Sequence, residues 1–136
     1  MKYLVDANVL SEPTRAGPDP AVVDWIRANE RDIVVDPIIL GEMRFGINLL
    51  PGGNRKRRLE RWFSQGVERI TCLSWSAPTG IRWARLLADL RSHGRSMPVK
   101  DSLIATTALE HGLVMVTRNV TDFSKANVEI YNPFSG

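Results

Sequence analysis

Tyr3-Leu4-Val5-Asp6-Ala7-Asn8-Val9-Leu10 runs three apolar residues directly into an acid. An apolar run without polar alternation reads as a strand buried on both faces, the habit of a parallel sheet. Ile33-Val34-Val35 ends the same way at Asp36, and Leu113 to Val116 ends at Thr117-Arg118-Asn119. Helix signals stand between these runs. Asp19-Pro20 and Asp36-Pro37 each pair a capping acid with a proline at the first helical position. Val22, Val23, Trp25 and Ile26 carry the first helix to about Asn29. The second is predicted to reach about Leu50, where Pro51-Gly52-Gly53-Asn54 stops it.

The same reading predicts a helix over 55–65, a strand over 70–73, and a helix from Ser76 or Thr79 to about His93. Asp101 is the expected start of a helix over 102–111, closed by Gly112. A fifth short strand is predicted over 128–131, and 8–17 is a connection holding a short helical turn. There are no repeats and no linker-like stretch. Strand–helix alternation of this kind implies one α/β domain over 1–136, three-layered, with a parallel central sheet.

The chain has 136 residues, 43% hydrophobic and 24% charged, enough for a core without covalent staples. Its single cysteine, Cys72, excludes an intrachain disulfide and is expected to be a buried small hydrophobe. The first apolar run is cut at Asp6, too early for a signal peptide. No stretch approaches the roughly 18 apolar residues of a membrane span. The expectation is a complete cytoplasmic protein without a membrane partner.

Function is carried by where the acids fall. Ligands of open α/β sheets bind beyond the carboxyl ends of the strands. Asp6 ends the first strand, Asp101 opens a helix, and Asp122 follows the fourth strand by a short loop. Glu42 lies on a helix among Ile38, Ile39, Leu40, Met43, Phe45 and Ile47, where an unpaired glutamate is costly to bury. Arg44 would satisfy it only in part. Taken singly, Asp6 is also a turn residue, Asp101 a cap and Asp122 a loop acid; together they form a candidate metal site. A carboxylate set without His or Cys selects Mg²⁺ or Mn²⁺ and suits in-line phosphodiester hydrolysis with one or two ions. His93 and His111 fall at helix ends, where they complement the dipole. Net charge is +3; with those four acids set aside, 18 basic residues face 11 acidic ones, which suits a polyanion.

Four stretches resemble, in order, the motifs of PIN domains: Leu4 to Glu12, Leu40 to Gly46, Asp101 to Ala108, and Val116-Thr117-Arg118-Asn119-Val120-Thr121-Asp122-Phe123. The ending Val128 to Phe134, with Asn132-Pro133, resembles the FitB-type branch of VapC toxins. The resemblance implies a PIN fold and a metal-dependent endoribonuclease, the toxin of a type II toxin–antitoxin pair. Asp6, Glu42, Asp101 and Asp122 would be the catalytic and metal-holding carboxylates. Asn8, Thr117 and Asn119 would be supporting polar residues. It further implies a cognate antitoxin as partner, a homodimer or larger toxin–antitoxin assembly, and contact with DNA only through the antitoxin. Some relatives carry a further acid near the last one; here Ser124-Lys125 follow Phe123.

Arg55, Lys56, Arg57, Arg58 and Arg61 form a basic patch, with Arg82, Arg85, Arg91, Arg95, Lys100 and Arg118 elsewhere. The patch, together with Arg118, reads as a contact for RNA phosphates or an acidic antitoxin segment, or as a solvated face. Trp62 and Trp83 are expected in the core or a protein interface. The alternative function is a PIN-like module that binds RNA or protein without cleaving. For a phosphate-receiver domain the later strands offer only Asp36, before Pro37, and no strand-end Lys; for a dinucleotide fold the glycine-rich turn after the first strand is missing.

Overall fold

The strands β1 (Tyr3–Val5), β2 (Ile33–Val35), β3 (Thr71–Cys72), β4 (Val114–Val116) and β5 (Ile130–Tyr131) form one sheet in the order β3-β2-β1-β4-β5, in a computed structural model that describes residues 1–135. All neighbours are parallel, with Tyr3 opposite Ile33 and Val114, and Val5 opposite Val116. β1 is central, and Leu4 and Val5 are fully buried, as the unbroken apolar run requires.

Among the described residues seven α-helices flank the sheet: α1 (Ala7–Leu10), α2 (Pro20–Asn29), α3 (Pro37–Asn48), α4 (Asn54–Gln65), α5 (Ala77–Ser92), α6 (Val99–His111) and α7 (Val120–Ser124). Ile39, Met43 and Ile47 recur every four residues and give α3 its buried face. Leu59 and Phe63 do the same for α4, and Leu86 and Leu90 for α5. α6 sits deeper: Ile104, Ala105, Thr106, Thr107 and Ala108 are all buried. Gly112 ends α6 at φ +62°, a left-handed turn that a side chain would strain.

Several boundaries move from the sequence expectation. α6 starts at Val99 rather than at Asp101, because Pro98 cannot extend a helix upstream yet its carbonyl accepts the Ser102 N–H. Asp101 therefore lies inside the first turn, with its carboxylate released from capping. The stretch read as a loop before Asp122 becomes α7, which places Asp122 in a first helical turn. β5 is reduced to Ile130–Tyr131, since Asn127 turns the chain at φ +58° just before it. Cys72 is exposed, not buried: β3 is an edge strand, paired only with β2. Trp62 and Trp83 are half-buried, and the Trp83 indole donates to Ser102 Oγ at 3.0 Å.

Asp36 has no exposed surface and links three elements. Oδ1 accepts the Ile39 N–H at 3.0 Å, capping α3, and Oδ2 accepts the Thr107 hydroxyl of α6 at 2.8 Å. Thr107 Oγ1 in turn accepts the Trp75 indole N–H at 3.0 Å. Burial pushes the Asp36 carboxyl above its ordinary value, against the opposing bonds from Ile39 and Thr107. Asp36→Ala removes the cap and strands a buried hydroxyl, at a cost of about 2 kcal/mol. Asp36→Asn keeps the shape and the cap through its one acceptor oxygen and reverses the other bond, the amide donating to Thr107 Oγ1, and should stay within about 1 kcal/mol of the parent. Urea unfolding at neutral pH separates them; equal midpoints for the two variants would show that Asp36 does not join these elements.

Candidate functional site

The chain builds β1, β2 and β3 toward one edge, then crosses back to place β4 on the other side of β1. The strand order reverses between β1 and β4, and the carboxyl ends of such a neighbouring pair are where open α/β sheets bind ligands. Asp6 occupies the exit of β1. It is 6% exposed, and its backbone N–H donates to Val116 O at 2.8 Å.

The Asp6 carboxylate is held on both oxygens. Oδ1 caps α1 by accepting the Ala7 N–H at 2.8 Å. Oδ2 accepts the Thr117 hydroxyl at 2.7 Å and the Asn8 amide at 3.3 Å. Thr117 Oγ1 also accepts the Asn119 N–H at 2.9 Å, and Asn119 Nδ2 reaches Asp101 Oδ2 at 3.2 Å. Asn119 stands at the cap position of α7 but makes no side-chain cap bond there, its amide being directed to Asp101. Thus β1, β4, α6 and α7 meet in one polar network. Asn8, Thr117 and Asn119 are all in it.

Glu42 and Asp122 stand at its margins, each with a lysine. Lys100 Nζ lies 3.3 Å from Glu42, and Lys125 Nζ lies 3.3 Å from Asp122. Arg44, two residues from Glu42 and only a partial answer to it on a helix, pairs with Glu60 at 3.0 Å, because α3 presents it toward α4. The four acids nonetheless share one field. The Asp6 carboxyl is pushed up to about 6, first by burial, with the Thr117 and Ala7 bonds opposing, and then by the charges of Glu42 and Asp101. Asp101 is also raised, by burial first and then by Asp122 and Glu42.

Among the described residues no three His, Cys, Asp or Glu side chains close into a ready-made metal cage. Like charges keep the acids apart, and the marginal ones are drawn to lysines. The donor chemistry fits a hard divalent cation: carboxylates only, mutually repelling, with Asp6 buried at the centre. His93 and His111 end α5 and α6; His93 bonds to Asp89 O at 2.8 Å, and His111 lies 3.5 Å from Glu110.

Beside the acids lies a groove of about 350 Å³, lined among others by Asn8, Glu42, Met43, Leu59 and Trp62. Of the predicted basic contacts, Arg55 and Arg118 line it. Lys56 is turned to Asn48 O at 3.4 Å, Arg57 bonds to Asn54, and Arg58 is exposed on α4. Sequence reasoning did not single out Glu12. It is 7% exposed, its Oε2 accepts the Asp19 N–H at 2.8 Å, and its Oε1 has no hydrogen-bond partner. An acid beside Pro13 in a predicted connection carried no local signal for burial.

The sequence matches the PIN domain family over residues 3–128. The chain belongs to that family. Toxin FitB of Neisseria gonorrhoeae is 31% identical over 135 residues, covering 96% of this chain and 97% of the relative. VapC ribonuclease Y4jK of Sinorhizobium fredii is 30% identical, covering 96% of each. The solved structure of FitAB bound to an IR36 DNA fragment superposes with a TM-score of 0.91 at 30% identity, covering 98% of this chain and 96% of that one. The five-stranded parallel sheet is thus the PIN sheet, and its carboxyl edge is where this PIN domain gathers its acids.

Burial of Asp6 makes this PIN domain pH-sensitive. With a folded value of about 6 against an ordinary 3.8, the folded state holds the proton more tightly than the unfolded chain. The contribution from this group is full below pH 3.8 and is lost as pH rises through about 6. The rise corresponds to about 3 kcal/mol. In EDTA, the parent should lose stability between pH 4.5 and 7.5 by an amount that Asp6→Asn does not lose. Urea unfolding at both pH values checks this; parallel curves would show that Asp6 ionises freely.

Proposed function

We propose that this PIN domain is a Mg²⁺-dependent endoribonuclease, the toxin of a type II toxin–antitoxin system, with Mn²⁺ as an alternative ion. The observation that carries the reading is the buried Asp6 carboxylate, joined through Thr117 and Asn119 to Asp101 and sharing its field with Glu42 and Asp122. The likeness to a protein named Toxin FitB and to one named VapC ribonuclease supports both halves of it.

Asp6 and Asp101 would hold the cation, with Glu42 and Asp122 completing the donor set. When bound, Mg²⁺ supplies charge neutralisation and an acidified water at the scissile phosphodiester. The residues of the chain do the positioning. Thr117 and the Ala7 N–H fix both oxygens of Asp6, Asn8 fixes its outer edge, and Asn119 orients Asp101. Lys100 and Lys125 balance the marginal acids. Arg55 places positive charge on the groove wall for an RNA backbone.

We read the RNA as cytoplasmic; among the described residues no helix is long and apolar enough to cross a membrane. The partner is a cognate antitoxin, whose apolar segment would fill the groove over Met43, Leu59 and Trp62. The likeness to FitAB on a DNA fragment supports DNA contact made through that partner, and the assembly is read as a homodimer of toxins or larger.

Purified protein freed of its partner should cut total RNA into discrete fragments with Mg²⁺ or Mn²⁺. EDTA should abolish cutting, and Asp6→Asn or Asp101→Asn should lower it by at least about 100-fold. Thr117→Val, which removes a supporting bond, should cost about 10- to 100-fold. Cleavage that survives EDTA, or survives in Asp6→Asn, sinks the metal reading. RNA binding without cleavage in metal-loaded protein would identify a binding module instead.

A further inference from the structure

Arg118 leaves β4 beside the acids and is anchored at both ends. Its backbone N–H donates to Asn8 Oδ1 at 3.2 Å, and Asn8 is bonded to Asp6. Its guanidinium lies over the Phe134 ring at 4.5 Å.

Phe134 is itself tied down. Its N–H donates to Asn132 Oδ1 at 3.0 Å, and Pro133 before it is buried. Ser135 donates to Asp19 Oδ2 through its N–H at 2.9 Å and through its hydroxyl at 2.8 Å. Asp19 caps α2 through Ala21 at 2.9 Å, and its N–H is taken by Glu12 Oε2 at 2.8 Å. The 132–135 segment is therefore clamped to the loop that follows α1. Among the described residues no carboxylate lies within ion-pair distance of Arg118. Arg118 and Phe134 share the groove wall with Arg15 and Arg55.

We propose that Arg118 binds a backbone phosphate of the RNA next to the scissile bond, and that Phe134, clamped through Ser135 and Asp19, is the residue that positions it. The proposal rests on the ribonuclease reading. One face of the guanidinium is covered by the ring, which leaves its N–H edge for two phosphate oxygens. The ring removes rotamer freedom before binding, so less is lost when the phosphate arrives. Asn8 links the same residue to Asp6, so the phosphate is registered against the acids. An acidic protein segment is the competing occupant; the tie to Asp6 through Asn8 favours RNA.

The test uses a short fluorescein-labelled single-stranded RNA of mixed sequence. Binding is followed by anisotropy in EDTA across a salt series, and cleavage of the same RNA in Mn²⁺ gives kcat and KM. Arg118→Ala should weaken binding about 10-fold, with the loss falling more on KM than on kcat. Its salt slope should be shallower by about 0.7, the value for one lost contact to a single strand. Arg118→Lys should restore the slope but not the affinity. Phe134→Leu should weaken binding about 2- to 10-fold with the slope intact. Phe134→Tyr should behave as the parent, and thermal melting of each variant controls for folding. Parent-like affinity and slope in Arg118→Ala overturn the proposal while the ribonuclease reading stands. If poly-glutamate binding falls in Arg118→Ala and RNA binding does not, the contact belongs to an acidic protein and the RNA assignment is overturned. A parent protein that neither binds nor cuts RNA removes the ribonuclease reading and this inference together.

Discussion

The Thr117 hydroxyl donates to the Asp6 carboxylate across 111 residues of chain. Much of the molecule serves that contact. It requires β1 and β4 to be parallel neighbours, with Val5 opposite Val116, so that the residues after each strand arrive at the same height. It requires the chain to complete β2 and β3 first and then cross back. The bond holds a carboxylate that burial and two neighbouring acids work against. A site built this way concentrates negative charge where the fold itself disfavours it.

Asp36 shows the contrasting use of a buried acid. It follows β2 as Asp6 follows β1, and both open a helix. Asp36 faces Thr107 and the α3 cap, so its oxygens are consumed by structure. Asp6 spends one oxygen on its cap and shares the other among side chains that lead toward Asp101. The difference is position in the sheet: β1 borders the crossover, whereas β2 lies inside the run β3-β2-β1.

Much of this was legible in the residues. Unbroken apolar runs marked β1, β2 and β4, the first two ending in acids, and Asp-Pro pairs marked the starts of α2 and α3, because both signals are local. The candidate acids were found by their placement at strand and helix ends, and Glu42 by its apolar neighbours. The start of α6, the turn of α7 and the trimming of β5 were not legible. Each depends on one backbone bond or one left-handed residue that several sequences tolerate.

What the sequence determined by itself was the class of fold and the set of acids available at its strand and helix ends. Periodicity and hard oxygen ligands are properties of residues in order. What only the tertiary structure decided was pairing. Lys100 answers Glu42 and Arg44 does not, since α6 and α3 bring one close while α4 takes the other. Cys72 is exposed because β3 became an edge. Glu12, Asp19, Ser135 and Phe134 form a chain reaching Arg118 only because 132–135 folds back on the loop after α1. Contacts between residues distant in sequence leave no periodic trace; they exist once the sheet order is set.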